Sequence, residues 1–262
     1  MKMTNIPVKV QLGINGTEKD GGFLPLDHQT IGNSSSWAGS YHILFMGRHY
    51  DDYIYRPTPE LQSVLNFPKL GCFGRLTSKS KSQQVVGNIG ECIAALLARD
   101  RLNADIADIA LLTTTAKRMR PDYLMNLEGS EIRSLFAGVP LDSRQLSYLA
   151  RKRWWPVESK ATKRNDSIDS RKKALKQLIS FWLKEKGELP EPVGYGLIVT
   201  FFYEDSDVEH EPEKILVSLI LPSDYSGLLE HFQNSKFKIR DKRTKEETYL
   251  ATFGFFHDCS IS

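Results

Sequence analysis

Cysteine is scarce in this chain. Its 262 residues hold three, Cys72, Cys92 and Cys259, widely spaced and without a CxxC pair. That excludes a disulfide framework or a zinc ribbon and fits a reducing compartment. Long apolar runs are missing as well. No stretch of about 18 apolar residues occurs, so no membrane span is expected. The opening Met1-Lys2-Met3-Thr4-Asn5 lacks the apolar core of a secretory signal, and the chain reads as cytoplasmic. There is no GxxxxGK[ST] and no GxGxxG, which removes support for a nucleotide-binding loop. Six histidines form no HExxH or HNH-like grouping.

What remains is ordinary in amount and uneven in placement. Hydrophobic residues make up 40% and charged residues 26%, as in a soluble globular protein of one large domain, or of a core with a small accessory domain. The net charge is only +3. Residues 151–186 nevertheless hold twelve Lys or Arg against four acids, a net of +8, so the rest of the chain carries −5. A basic cluster of this kind suits a phosphate backbone; a solvated helix face is the plainer account of it.

Along the chain, residues 8–12 alternate as a strand and 13–22 hold several Gly and Asn breakers. Residues 41–45 and 53–55 are aromatic-rich and read as β, and 60–67 as a short helix. Residues 1–80 thus read as an N-terminal extension or accessory domain before a core over 81–262. A helix is predicted over 82–99, with Glu91 on the same face as Ala94, Ala95 and Ala98. Strands over 105–114 and 119–124 form a hairpin around Ala116-Lys117-Arg118, and 141–153 reads as a helical insertion. A helix capped by Ser170 runs to Lys186. It buries Leu175, Leu178, Ile179 and Trp182 and leaves Arg171, Lys172, Lys173 and Lys176 largely outward. Residues 194–203 and 215–221 read as interior strands. The tail, 237–256, reads as a hairpin around 240–247.

Two carboxylate signals stand out. Pro121-Asp122 is the only Pro-Asp in the chain, and Glu158 is the only one of 32 acids followed two residues later by Lys. Strand alternation puts Glu158 and Lys160 on one face and Val157 and Ser159 on the other. With Asp122 on a neighbouring strand, two carboxylates and an ammonium converge, which suits a divalent metal beside an activated water. The separation of Asp122 from Glu158 is long for adjacent strands, so Glu128 and Asp142 stand as rival partners for Glu158. Trp154 and Trp155, just before this segment, read as packing anchors.

These residues resemble the PD-(D/E)xK nuclease superfamily. Pro121-Asp122 matches its PD element and Glu158-Ser159-Lys160 its ExK element. Gly90-Glu91 matches the acidic residue that many members carry on the first core helix. Gln177, with Phe181 four positions on, is similar to the Gln-containing helix of the RecB-like branch, which usually has Tyr there. The resemblance implies an α/β fold with a restriction-endonuclease-like core, a central mixed β-sheet flanked by helices, here with an N-terminal β-rich extension. It implies divalent-metal-dependent hydrolysis of DNA phosphodiester bonds, as in a type II restriction or related defence endonuclease, acting on double-stranded DNA as a homodimer. Asp122, Glu158, Glu91 and the carbonyl of Ser159 are then the expected ligands of Mg²⁺, for which Mn²⁺ can substitute. Lys160 joins the three acids as the catalytic group. Lys163, Arg164, Arg171, Lys172, Lys173 and Gln177 are the expected nucleic-acid contacts. An alternative of another class is a non-catalytic nucleic-acid-binding protein, its basic helix on the phosphates and its acids incidental. A scaffold protein with a solvated Lys cluster is the blandest option.

Overall fold

The computed structural model describes residues 4–26, 83–105, 108–112, 121–162, 167–184, 193–202, 214–235 and 242–260. The expected elements at 41–45, 53–55 and 60–67, and the turn at 116–118, lie outside the described residues.

Apolar strands that need cover on both faces assemble the core. The strands are β1 (Thr4–Leu12), β2 (Lys19–Leu26), β3 (Ile109–Leu111), β4 (Tyr123–Leu127), β5 (Arg153–Thr162), β6 (Gly196–Phe202) and β7 (Lys214–Ile220). Among the described residues they form one sheet in the order β2-β1-β7-β6-β5-β4-β3. Pairing is parallel between β1 and β7 and between β5 and β6, and antiparallel elsewhere. The protein is therefore α/β with a mixed sheet flanked by helices. The described part of the N-terminal extension, residues 4–26, adds β1 and β2 to this same sheet beside β7.

Each face has its own cover. Helix α1 (Gln83–Arg101) buries Ile93 through Ala98 against Tyr123 and Met125 of β4, Val157 of β5 and Leu197 and Val199 of β6. The alternate positions Leu124, Ile198 and Ile220 meet Ala174, Leu175, Leu178 and Ile179 of α4 (Ser167–Lys184). That helix makes the crossover between the parallel strands β5 and β6. The expected stripe of Leu175, Leu178, Ile179 and Trp182 is buried. Trp155 is buried too, edge-on to Tyr195, as a packing anchor.

Three expectations need correction. The insertion between β4 and β5 holds two short helices, α2 (Gly129–Leu135) and α3 (Ser143–Tyr148), rather than one over 141–153. Helix α4 begins at Ser167, and the Ser170 hydroxyl donates to Thr162 Oγ1 on β5 (3.2 Å) rather than capping a helix. The tail is not a hairpin. After α5 (Tyr225–Ser235), residues Lys242–Phe253 form a helix, α6. Tyr249, Thr252 and Phe253, spaced at i, i+3 and i+4, are buried, while Thr248 and Thr252 bond back to the carbonyls four residues earlier. A helical period thus wins over the β-prone residue types.

Two glycines in α1 show how tightly it lies on the sheet. A Cβ at Gly90 would sit 3.1 Å from the carbonyl carbon of Lys160 and 3.2 Å from the nitrogen of Ala161, whereas one at Gly87 would meet nothing within 4 Å. Gly87→Ala is expected to stabilise by about 0.5–1 kcal/mol through helix propensity. Gly90→Ala forfeits that gain to overpacking of order 1 kcal/mol or more. Thermal unfolding of the two variants checks this; an equal rise in both would contradict the close contact.

Candidate active site

Antiparallel pairing of β4 with β5 sets Tyr123 opposite Val157. Asp122, one residue before β4, therefore reaches the Glu158-Ser159 stretch directly. Ser159 holds it twice: the backbone N–H donates to Asp122 Oδ2 at 2.8 Å and the hydroxyl to the same oxygen at 2.6 Å. Glu158 and Lys160 share a face, as strand alternation requires, and the Lys160 ammonium donates to Glu158 Oε1. Glu158 is fully buried and its Oε2 has no hydrogen-bond partner among the described residues. The Lys160 side chain is 23% exposed. Helix α1 brings Glu91 alongside, and its backbone carbonyl accepts a hydrogen bond from the Tyr123 hydroxyl at 3.0 Å. Gly90, next to it, permits that approach.

The electrostatics follow from burial and crowding. Burial, and then the charge of Asp122, push the Glu91 carboxyl up to about 8 against the opposing pull of Lys160. The same causes hold Glu158 well above the usual carboxylate range. Burial acts to lower Lys160, but the attraction of Glu158, Asp122 and Glu91 outweighs it, and its pKa is raised. Three acids thus share the field of one ammonium. Among the described residues no three His, Cys, Asp or Glu side chains are gathered into a ready-made metal cluster. The donor set is still one that a hard divalent cation accepts: carboxylate oxygens, one of them the unpartnered buried Oε2 of Glu158. Asp122, Glu158 and Glu91 are the side chains that would hold such an ion.

The two rivals of Asp122 lie elsewhere. Asp142 caps α3, accepting from the Gln145 N–H while Gln145 Oε1 accepts from the Asp142 N–H, both at 2.8 Å. Glu128 is exposed and 3.9 Å from Lys152. The expected nucleic-acid contacts divide. Lys173 is exposed, and Lys172 and Gln177 are half-buried. Lys163 and Arg164 lie outside the described residues. Arg171 is not outward: its guanidinium donates to the Ile14 carbonyl in the turn after β1, and burial lowers its pKa. Lys176 is not free either, being paired with Glu246 of α6. The Ser159 hydroxyl and Tyr123 were missed because each reads as an ordinary strand residue; their partners come from other segments.

Comparison of the chain with family models, with curated proteins and with solved structures finds no match.

Raised carboxyl pKa values have a stability consequence. Between pH 4.5 and 8 the folded protein keeps a proton on Glu91 that the unfolded chain has lost. Stability without metal therefore falls as pH rises through this window. Glu91 keeps some solvent contact, so its share is about 1–2 kcal/mol rather than the full linkage value. In EDTA, Glu91→Gln is expected to lose less stability than wild type between pH 5 and 8 and to be the more stable protein at pH 8. Melting temperatures at the two pH values measure this, and identical pH slopes would contradict it.

Proposed function

We propose that this protein is a divalent-metal-dependent deoxyribonuclease of PD-(D/E)xK type, hydrolysing phosphodiester bonds in double-stranded DNA in the manner of a type II restriction or related defence endonuclease. One observation carries the reading. The chain's single Pro-Asp, just ahead of β4, and its single ExK, on the antiparallel neighbour β5, lie side by side, with Ser159 bonded to Asp122 and Lys160 to Glu158. The order of elements supports it: a helix, three antiparallel strands, a crossover helix and a strand parallel to the third, as in a restriction-endonuclease-like core. Action as a homodimer belongs to the same reading.

In this mechanism Asp122 and Glu158, with the Ser159 carbonyl, would hold Mg²⁺ or Mn²⁺, and Glu91 would complete or extend the set. When bound, the ion supplies Lewis-acid polarisation of the phosphate and lowers the pKa of a ligated water. The chain does the rest. Ser159 fixes the Asp122 carboxylate through two hydrogen bonds. Lys160, held protonated by its acidic neighbours, stabilises negative charge growing on the phosphate oxygens. Lys172 and Lys173 supply positive charge for the DNA backbone, making binding strongly salt-dependent.

A non-catalytic nucleic-acid-binding protein is the second reading. Its supporting observation is that Lys160 already neutralises Glu158 and Ser159 already occupies Asp122 Oδ2. Cleavage of plasmid DNA separates the two. The nuclease reading expects cutting with Mg²⁺ or Mn²⁺, none in EDTA, and a loss of at least about 100-fold in Asp122→Asn, on the scale of removing one electrostatic stabiliser. Salt-sensitive binding with no cutting, unchanged in Asp122→Asn, would favour the binding module.

A further inference from the structure

We propose that Thr200 is a positioning residue for the Glu158–Lys160 pair, an inference that rests on the nuclease reading above. Thr200 sits in β6, within Gly196–Phe202, an otherwise apolar strand. It is fully buried, and its hydroxyl has no hydrogen-bond partner among the described residues. Buried polar atoms without partners are rare enough that each needs a reason. A valine would fill nearly the same volume and suit a buried strand better.

Its neighbours supply the reason. Parallel pairing sets Thr200 opposite Lys160 of β5, and antiparallel pairing sets it opposite Leu216 of β7. Two residues along its own strand, on the same face, lie Ile198 and Phe202. The diagonal neighbours are Glu158 and Thr162 on β5, and Lys214 and Ser218 on β7. Thr162 takes the Ser170 hydroxyl, Ser218 takes the Gln11 amide at 2.9 Å, and Lys214 pairs with Glu18 at 2.7 Å. Of its polar neighbours on β5 and β7, those left to Thr200 are the Lys160 ammonium and the Glu158 Oε2, which has no partner among the described residues.

A hydroxyl serves both at once, accepting from an ammonium while donating to a carboxylate. Two buried atoms without partners among the described residues, Thr200 Oγ1 and Glu158 Oε2, belong to residues on diagonal positions of the adjacent strands β6 and β5. Thr200 keeps Lys160 aimed into the site whenever the Glu158 carboxylate is otherwise engaged, and it steadies the carboxylate from behind. The chain keeps an orphaned hydroxyl at some cost in stability because the site uses it.

The test compares full-length wild type, Thr200→Val and Thr200→Ser, by thermal unfolding in EDTA and by steady-state DNA cleavage with Mg²⁺. Thr200→Val is expected to melt at or above the wild-type temperature, while kcat falls by about 10- to 100-fold with KM within about twofold. Thr200→Ser, which keeps the hydroxyl, recovers most of kcat. Wild-type kcat in Thr200→Val would overturn the inference and leave the nuclease reading intact. A fall in both melting temperature and kcat that serine does not rescue would make Thr200 a packing residue and overturn it equally. Wild-type protein that does not cut would overturn the nuclease reading itself.

Discussion

A carboxylate buried inside a sheet keeps its charge only if counter-charge or hydrogen bonds replace the water it has lost. Glu158 faces that constraint with half of its needs met. One oxygen is bonded to Lys160, the other has no partner among the described residues, and burial holds its proton affinity well above the usual range. Asp122 and Glu91 deepen the difficulty, since both add negative charge to the same field. Without metal the cluster meets this by holding protons, since Lys160 is one ammonium among three acids and both Glu91 and Glu158 are raised. A divalent cation would take the place of those protons, and that is the physical reason to propose the cluster as a site rather than as an internal salt bridge. Replacing Glu158 and Lys160 by apolar residues would make a simpler core, as buried ion pairs seldom stabilise more than good packing does.

The fold delivers these groups from three directions. Asp122 ends the segment leading into β4, Glu158 and Lys160 come from the middle of β5, and Glu91 comes from α1. Antiparallel pairing aligns the first two. The third is helped by Gly90, where helix backbone lies so near strand backbone that a Cβ would be 3.1 Å from the Lys160 carbonyl carbon. On the opposite face α4 packs its apolar stripe onto β5 and β6 and is tied to β5 by the Ser170–Thr162 bond. Arg171 and Lys176 then bind α4 to the β1 turn and to α6. Part of the basic surplus of residues 151–186 is therefore architecture, and of Arg171, Lys172, Lys173 and Lys176 on α4 it is Lys173 that is exposed.

Much of this was legible in the residues, for a physical reason. Strand alternation makes Glu158 and Lys160 neighbours wherever the strand lies, and the apolar runs around Leu197 and Val217 read as interior strands whatever covers them. The 3.6-residue period revealed the faces of α1 and α4 for the same cause. Contacts between distant segments were not legible. Nothing local to Ser159 says that its hydroxyl clamps a residue 37 positions earlier. Arg171 looked outward because helical spacing does not reveal that the turn after β1 closes over it. The tail misled because Tyr249, Thr252 and Phe253 favour strands by type, whereas the helix is the form that packs Tyr249 and Phe253 into the same core as α4 and α5. Thr200 passed unnoticed inside an apolar run, where one threonine is unremarkable until its neighbours have been accounted for.

The claim on which the rest turns is that Asp122 and Glu158 bind one divalent cation. The most direct measurement is an anomalous difference map from crystals soaked in Mn²⁺ and collected at the manganese edge. The account predicts a peak between the Asp122 and Glu158 carboxylates, with oxygen ligands at about 2.0–2.2 Å, and its loss in Asp122→Asn. A fully soaked crystal with no peak there, or with Lys160 still closed on Glu158 and manganese bound elsewhere, would contradict it.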